Sequence, residues 1–86
     1  MTDIPITRED DILGGRYAAI VDGVESELTY SRIKRHGQKL IVADHTGVPR
    51  QLSGRGVGLA LVKRAVEDAK AEGVKIVPAC SFVRVH

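Results

Sequence analysis

The chain has 86 residues, 43% hydrophobic and 28% charged, with a formal net charge of +2, which suits one domain with one small core rather than a catalytic and a regulatory domain together. Cys80 is the single cysteine, which excludes an internal disulfide framework; with no signal-like leader and no apolar run of membrane-spanning length, a soluble cytoplasmic protein is expected. The small net charge hides an asymmetry, since residues 1–30 carry seven acids against Arg8 and Arg16, and the remainder carries eleven Lys and Arg against four acids. The basic part either draws in a polyanionic ligand or forms one side of an ordinary solvated surface.

Residues 1–13 show no clean period and read as a loop-like leader, with Glu9-Asp10-Asp11 at the surface and room for a short strand near Ile4 to Thr7. After Gly14-Gly15, Tyr17-Ala18-Ala19-Ile20-Val21 is a strand candidate, and Asp22-Gly23 is a tight-turn signal. Between Glu25 and Ile33, Leu28, Tyr30 and Arg32 alternate with Glu27, Thr29 and Ser31, which predicts a half-exposed strand antiparallel to the one before. Arg35-His36-Gly37-Gln38 turns the chain again.

A covered strand is expected from Lys39 to Val48, because Leu40-Ile41-Val42-Ala43 is apolar on both faces. Strict alternation would put Ile41, Ala43 and His45 on one side, and Leu40, Val42 and Asp44 on the other. Pairing should stop at Pro49. A helix is predicted from about Gly54 or Arg55 to Glu72, with Val57, Leu61, Val62, Ala65, Val66 and Ala69 as its apolar stripe and Gly73 as its terminator. Lys63 with Glu67 and Arg64 with Asp68 stand four apart on its surface. Val74 to Val77 is a further buried strand, ended by Pro78, with Cys80 two residues beyond.

Two strands joined by a crossover helix should be parallel with a right-handed connection. Their C-terminal ends then bring His45, Cys80 and the turn Gln51-Leu52-Ser53-Gly54-Arg55-Gly56-Val57-Gly58 to one crevice. Where a glycine turn opens a helix, free amides and the positive end of the dipole converge on a point that favours a phosphate. Glycine turns also exist simply to reverse the chain, so both readings stand. The letters fit neither common nucleotide loop: no Lys follows the glycines as a P-loop requires, and Leu59 stands where a GxGxxG fingerprint needs its last glycine.

Gln51xxGly54xGly56 resembles the acetyl-CoA pyrophosphate motif of the GNAT superfamily of N-acetyltransferases. The ordered set His45-Thr46-x-Val48, Gly54-Arg55-Gly56-Val57-Gly58 with Leu61-Val62, and Val77-Pro78-x-Cys80-x-Phe82-Val83 is similar to minimal single-domain members, over roughly residues 16 to 85. The resemblance implies one compact acetyltransferase domain over residues 1–86, of α/β (α+β) class. Its sheet would be mixed and mainly antiparallel, with a parallel strand–helix–strand crossover at the cofactor site. It implies acetyl-CoA (or CoA) as ligand, with the pantetheine arm between splayed strands and the pyrophosphate on backbone amides from Leu52 through Gly58. Val48, Gln51 and Arg55 join that set, and His45 and Cys80 match the suspected catalytic pair. Relatives continue past Phe82-Val83 into a short helical tail, which is expected to be missing after His86 here. Larger members often use a Tyr acid and a Glu base, whereas here no Tyr follows Tyr30 and no Glu is expected near the splayed strand ends.

His45 could take a proton from an ammonium acceptor or from Cys80, or could be a hydrogen-bonded histidine at a strand end. Cys80 is open to three roles: an acetyl-accepting nucleophile, an acid for the departing thiolate, or a small buried residue. The function these readings favour is acetyl transfer from acetyl-CoA to an unidentified amine; the alternative is a non-catalytic acyl-CoA-binding or protein-interaction module. Nucleic acid is not an expected partner, because the aromatic platform of single-strand binders is missing. One Cys and scattered His argue against a zinc site. Neither the acceptor nor an oligomeric state has a signature in the letters.

Overall fold

The computed structural model describes residues 4–78, which form a five-stranded sheet with one long helix. The strands β1 (Ile6–Asp10), β2 (Gly14–Val21), β3 (Val24–Arg35), β4 (Gln38–Gly47) and β5 (Lys75–Pro78) lie in sequence order across the sheet. The first four are antiparallel neighbours; β5 pairs with β4 in parallel, after the crossover through α1 (Val57–Glu72). This is the expected mixed α/β architecture. Among the described residues no helix is long and apolar enough to cross a membrane.

The β2–β3 and β3–β4 hairpins each turn on two residues with positive φ, Asp22 (52°) with Gly23 (75°) and His36 (51°) with Gly37 (77°). Turns of this hand match the twist of the flanking strands, and Gly, Asn and Asp accept them at least cost. The register follows directly, with Val21 against Val24 and Arg35 against Gln38.

One expectation needs correction. Glu9 and Asp10 are not loop residues but the last two positions of β1, paired with Arg16 and Gly15. Their charges are tolerated because β1 is an edge strand and each carboxylate meets an arginine: Glu9 lies 3.1 Å from Arg16, and Asp10 lies 2.9 Å from Arg32. Only Asp11 begins the turn, where its side chain accepts the amides of Leu13 and Gly14.

The helix packs on one face of the sheet. Tyr17, Ala19, Leu28, Tyr30, Ile41 and Ala43 from the strands meet Val57, Leu61, Val62 and Ala65 from α1, with Leu52 closing the core at the helix entrance. Val66, assigned to the same stripe, is half-buried at its margin. Burying an aliphatic side chain of this kind stabilises by roughly 1.5–3 kcal/mol. Tyr30 can lie flat across β2 only because Gly15 stands opposite it, where a Cβ would collide with the tyrosine hydroxyl and the Glu9 carbonyl.

The other tie between helix and sheet is electrostatic. Arg8 points inward from β1 to Asp68 at 3.2 Å and Glu72 at 2.9 Å, with its guanidinium near the rings of Tyr17 and Tyr30. Arg32 reaches both Asp10 and Glu72, Tyr17 donates to Asp68 at 2.8 Å, and Tyr30 donates to Asp10. Burial alone would raise the carboxyls of Asp10 and Glu72; hydrogen bonds from Tyr30 and Arg32, and from Arg8 and Arg32, outweigh it and hold both below the usual carboxylate range. Burial and the bond to Asp68 push the Tyr17 phenol up. The helix then ends in a Schellman closure: Gly73, at φ 72°, donates to Lys70 O and Val74 donates to Ala69 O.

Candidate functional site

The candidate site lies at the opposite, N-terminal end of α1. β4 ends at Gly47, and Pro49 leads into a short 3-10 helix, Arg50–Leu52, that drops the Leu52 side chain into the core. That anchor fixes the turn from above while leaving Ser53 to Gly56 exposed. Gly54 and Gly56 both take φ 78°, and the space where a Cβ would stand is open at each. The helix begins later than expected, at Val57, because left-handed Gly56 is its N-cap.

Its first backbone bond runs from Ala60 N–H to Gly56 O, at 3.0 Å. The amides of Val57, Gly58 and Leu59 therefore precede the intrahelical ladder, and glycine has no side chain with which to cap them. No acidic residue occupies the first turn. Together these features make the helix start a place of unspent donors and positive potential.

A crevice of about 500 Å³ opens over this point, bordered by Thr46, Val48, Leu52, Ser53, Gly54, Gly56, Val57, Gly58 and Leu59. Of the residues singled out in the sequence, Val48, Leu52, Ser53, Gly54, Gly56, Val57 and Gly58 stand on its wall. Gln51 and Arg55 share the turn but do not border the crevice. Gln51 is exposed, and Arg55 turns to Asp22 at the β2–β3 turn, 2.7 Å away. Sequence reading missed Thr46 and Leu59. Thr46 had a signal in its position between His45 and Val48; Leu59 follows Gly58 in the first helical turn, where it reads as ordinary surface.

His45 is arranged differently from the simple alternation. Tyr30 pairs with Ala43 but Thr29 pairs with His45, so Asp44 is an extra residue in β4 and the strand bulges there. Paired residues share a face. Ala43 follows Tyr30 to the helix side, whereas His45 joins Thr29 on the side away from the helix, beside Asp44, which bonds to Ser31. The expectation that Ile41, Ala43 and His45 share one side is thus corrected: the bulge restarts the alternation, and Thr46, opposite Leu28, returns to the helix side. The imidazole lies over Gly47, whose Cβ position is 3.2 Å from Nε2.

A carboxylate also stands here against expectation. Glu27 pairs with Gly47 at the end of β4, and its side chain and the imidazole flank the same glycine. The segment expected to be free of Glu near the strand ends therefore holds one, brought from β3 by pairing that sequence distance conceals. Arg16 engages that carboxylate at 3.2 Å together with those of Glu9 and Glu25.

Among the described residues β5 pairs with β4 as far as Ala43 and Pro78, and β4 runs on to Gly47. The bulge at Asp44 follows that pair directly, and His45 and the glycine turn come after it in the chain. Cys80 lies outside the described residues. Among those described, no group of three or more His, Cys, Asp or Glu is placed to hold a metal ion.

The model of the GCN5-related N-acetyl-transferase family matches residues 16–86, and the chain belongs to that family. Its fold is similar to the crystal structure of a ribosomal-protein-alanine N-acetyltransferase from Brucella melitensis biovar Abortus 2308, with a TM-score of 0.69 and 22% sequence identity. That likeness covers 78% of this chain and 50% of the other, so the present chain spans about half the length of that structure. No curated protein matches it.

Proposed function

We propose that this chain binds acetyl-CoA through the glycine turn and transfers the acetyl group to an amine, in a reducing cytoplasmic setting where Cys80 stays a thiol. The observation that carries the reading is the helix start itself: uncapped amides of Val57 to Leu59, two glycines at φ 78° with open space above them, and a crevice over both, in a chain of this family. A pyrophosphate fits that donor set, because backbone N–H groups and the helix dipole favour an anion and no side chain blocks close approach.

Acetyl-CoA supplies an activated acyl carbon. The chain's part is alignment, proton removal and closure of the site. The pantetheine arm would lie along Val48 and Thr46, at the C-terminal end of β4. His45, on the far face, suits an amine arriving from that side: as the amine nitrogen bonds to the carbonyl carbon and the carbon–sulfur bond breaks, the imidazole takes the ammonium proton. Cys80 follows one of two routes, protonating the departing thiolate or accepting the acetyl group first and passing it to the amine. Positioning alone can supply several kcal/mol of the barrier.

The placement of His45 on the face opposite the glycine turn also favours a second reading, a non-catalytic acyl-CoA module that needs only the turn. Intact-protein mass spectrometry with acetyl-CoA, combined with free-thiol detection across a panel of amines, separates the two. Acetyl transfer lost in His45→Ala and in Cys80→Ala supports the enzyme, and a one-acetyl adduct on wild type that vanishes in Cys80→Ser selects the covalent route. CoA binding with no acetyl transfer, or transfer untouched by either substitution, removes the pair from the chemistry.

A further inference from the structure

Arg55 is the one cation built into the glycine turn, between two residues whose backbones border the crevice, yet its own side chain does not border it. Its guanidinium instead meets Asp22 at 2.7 Å, across the gap between the turn and the β2–β3 hairpin. Asp22 is held toward it by the hairpin geometry, since it is the first central residue of a turn with φ 52°. Both side chains are solvated, 49% and 72% exposed, so neither is locked by packing.

We propose that Asp22 acts as a counter-ion latch on the cofactor site, holding Arg55 away from the crevice until a diphosphate competes for it. This rests on the cofactor reading above. The guanidinium fork binds a carboxylate or a phosphate by the same paired N–H geometry, so the two ligands are alternatives for one cation. A flexible, exposed arginine on a glycine-flanked turn can move between them by rotation of its own side chain, without moving the helix. An exposed ion pair of this kind is worth at most roughly fivefold in an equilibrium constant, which leaves the exchange within reach of an incoming diphosphate. Asp22 thereby lowers the affinity of the site for CoA while sparing the empty turn an unpaired charge.

The test is a calorimetric double-mutant cycle with CoA as the probe, at low ionic strength, on the full chain. Asp22→Asn keeps the hairpin, because asparagine accepts positive φ as readily as aspartate, and an unchanged thermal midpoint would verify this. The latch predicts that Asp22→Asn tightens CoA binding roughly two- to fivefold, and that the same substitution changes nothing in an Arg55→Ala background. A gain that persists without Arg55 reveals general repulsion by Asp22 and overturns the latch. Unchanged or weaker binding by Asp22→Asn in the wild-type background overturns it as well, the weaker case meaning that the pair positions the turn for the ligand. If wild type binds no CoA at all, the cofactor reading falls and the latch with it, whereas wild-type binding with the wrong response to Asp22→Asn removes the latch alone.

Discussion

Helix α1 meets the rest of the chain through charge at its C-terminal end and through glycine at its N-terminal end. At the first, Arg8 and Arg32 gather Asp10, Asp68 and Glu72, two tyrosines complete the bonding, and Gly73 closes the last carbonyls. Acids there oppose the helix dipole, so the arginines are what makes them tolerable. At the second end the first amides have no capping side chain, the flanking residues are exposed, and the neighbouring charge pair is solvated. One end uses its polar groups to hold the fold together, and the other keeps them available. That difference supports the proposed ligand site more strongly than any single motif, because an uncapped helix start favours an anion.

Opening the closed end should have the largest effect. Arg8→Ala leaves Asp68 and Glu72 facing each other with only Arg32 and Arg64 to offset them; as the site is only partly buried, a loss of about 2 kcal/mol is expected rather than the larger cost of a fully buried pair. Urea denaturation measures it, and CoA affinity of the folded protein should stay within twofold of wild type. At the open end the pattern inverts. Gly56→Val should weaken CoA binding at least tenfold, about 1.4 kcal/mol, because its side chain occupies the approach to the amides. Nothing in the protein stands within 4 Å of the added Cβ, so stability should fall only by the strain of a β-branched residue at positive φ, about 1–2 kcal/mol.

The smallest effect is the pH response, which sharpens the contrast because it should belong to the closed end alone. The folded carboxyls of Asp10 and Glu72 are depressed, so their contribution is complete above the unfolded value, at about pH 4, and is lost as pH falls through the lower folded values. Tyr17 and Tyr30 have raised folded values, so their contribution is complete below about pH 10 and is lost as pH rises further. A plateau between these limits, with an acid limb made shallower by Arg32→Met, is the expected stability profile from thermal melts. An acid limb unchanged in that variant would remove Asp10 and Glu72 as its source.

Much of the open end was legible because its signals are local. Glycine turns, a hydrophobic stripe with a period of 3.6, and Asp-Gly or His-Gly at hairpin tips each report on the residues that carry them. The closed end was not, since Arg8, Tyr17, Tyr30 and Glu72 are joined only after folding. Arg8 two residues after Ile6, on the same inward face of β1, and two buried tyrosines that would need partners, were the available hints. The bulge at Asp44 escaped for a related reason: register is set between strands, and nothing in Ala43-Asp44-His45 marks an extra residue. Its consequence is large, because it sends the imidazole to the face opposite the glycine turn and brings Glu27 beside it.

The most direct test is amide chemical-shift mapping by ¹H–¹⁵N NMR during a CoA titration. With CoA at the start of α1, the largest changes fall on Ser53 to Leu59 with Thr46 and Val48, while Arg8, Asp68, Glu72 and Gly73 stay still. Changes centred on the closed end, or none at the first turn of α1 under saturating CoA, would contradict the claim that the uncapped start of α1 is the ligand site.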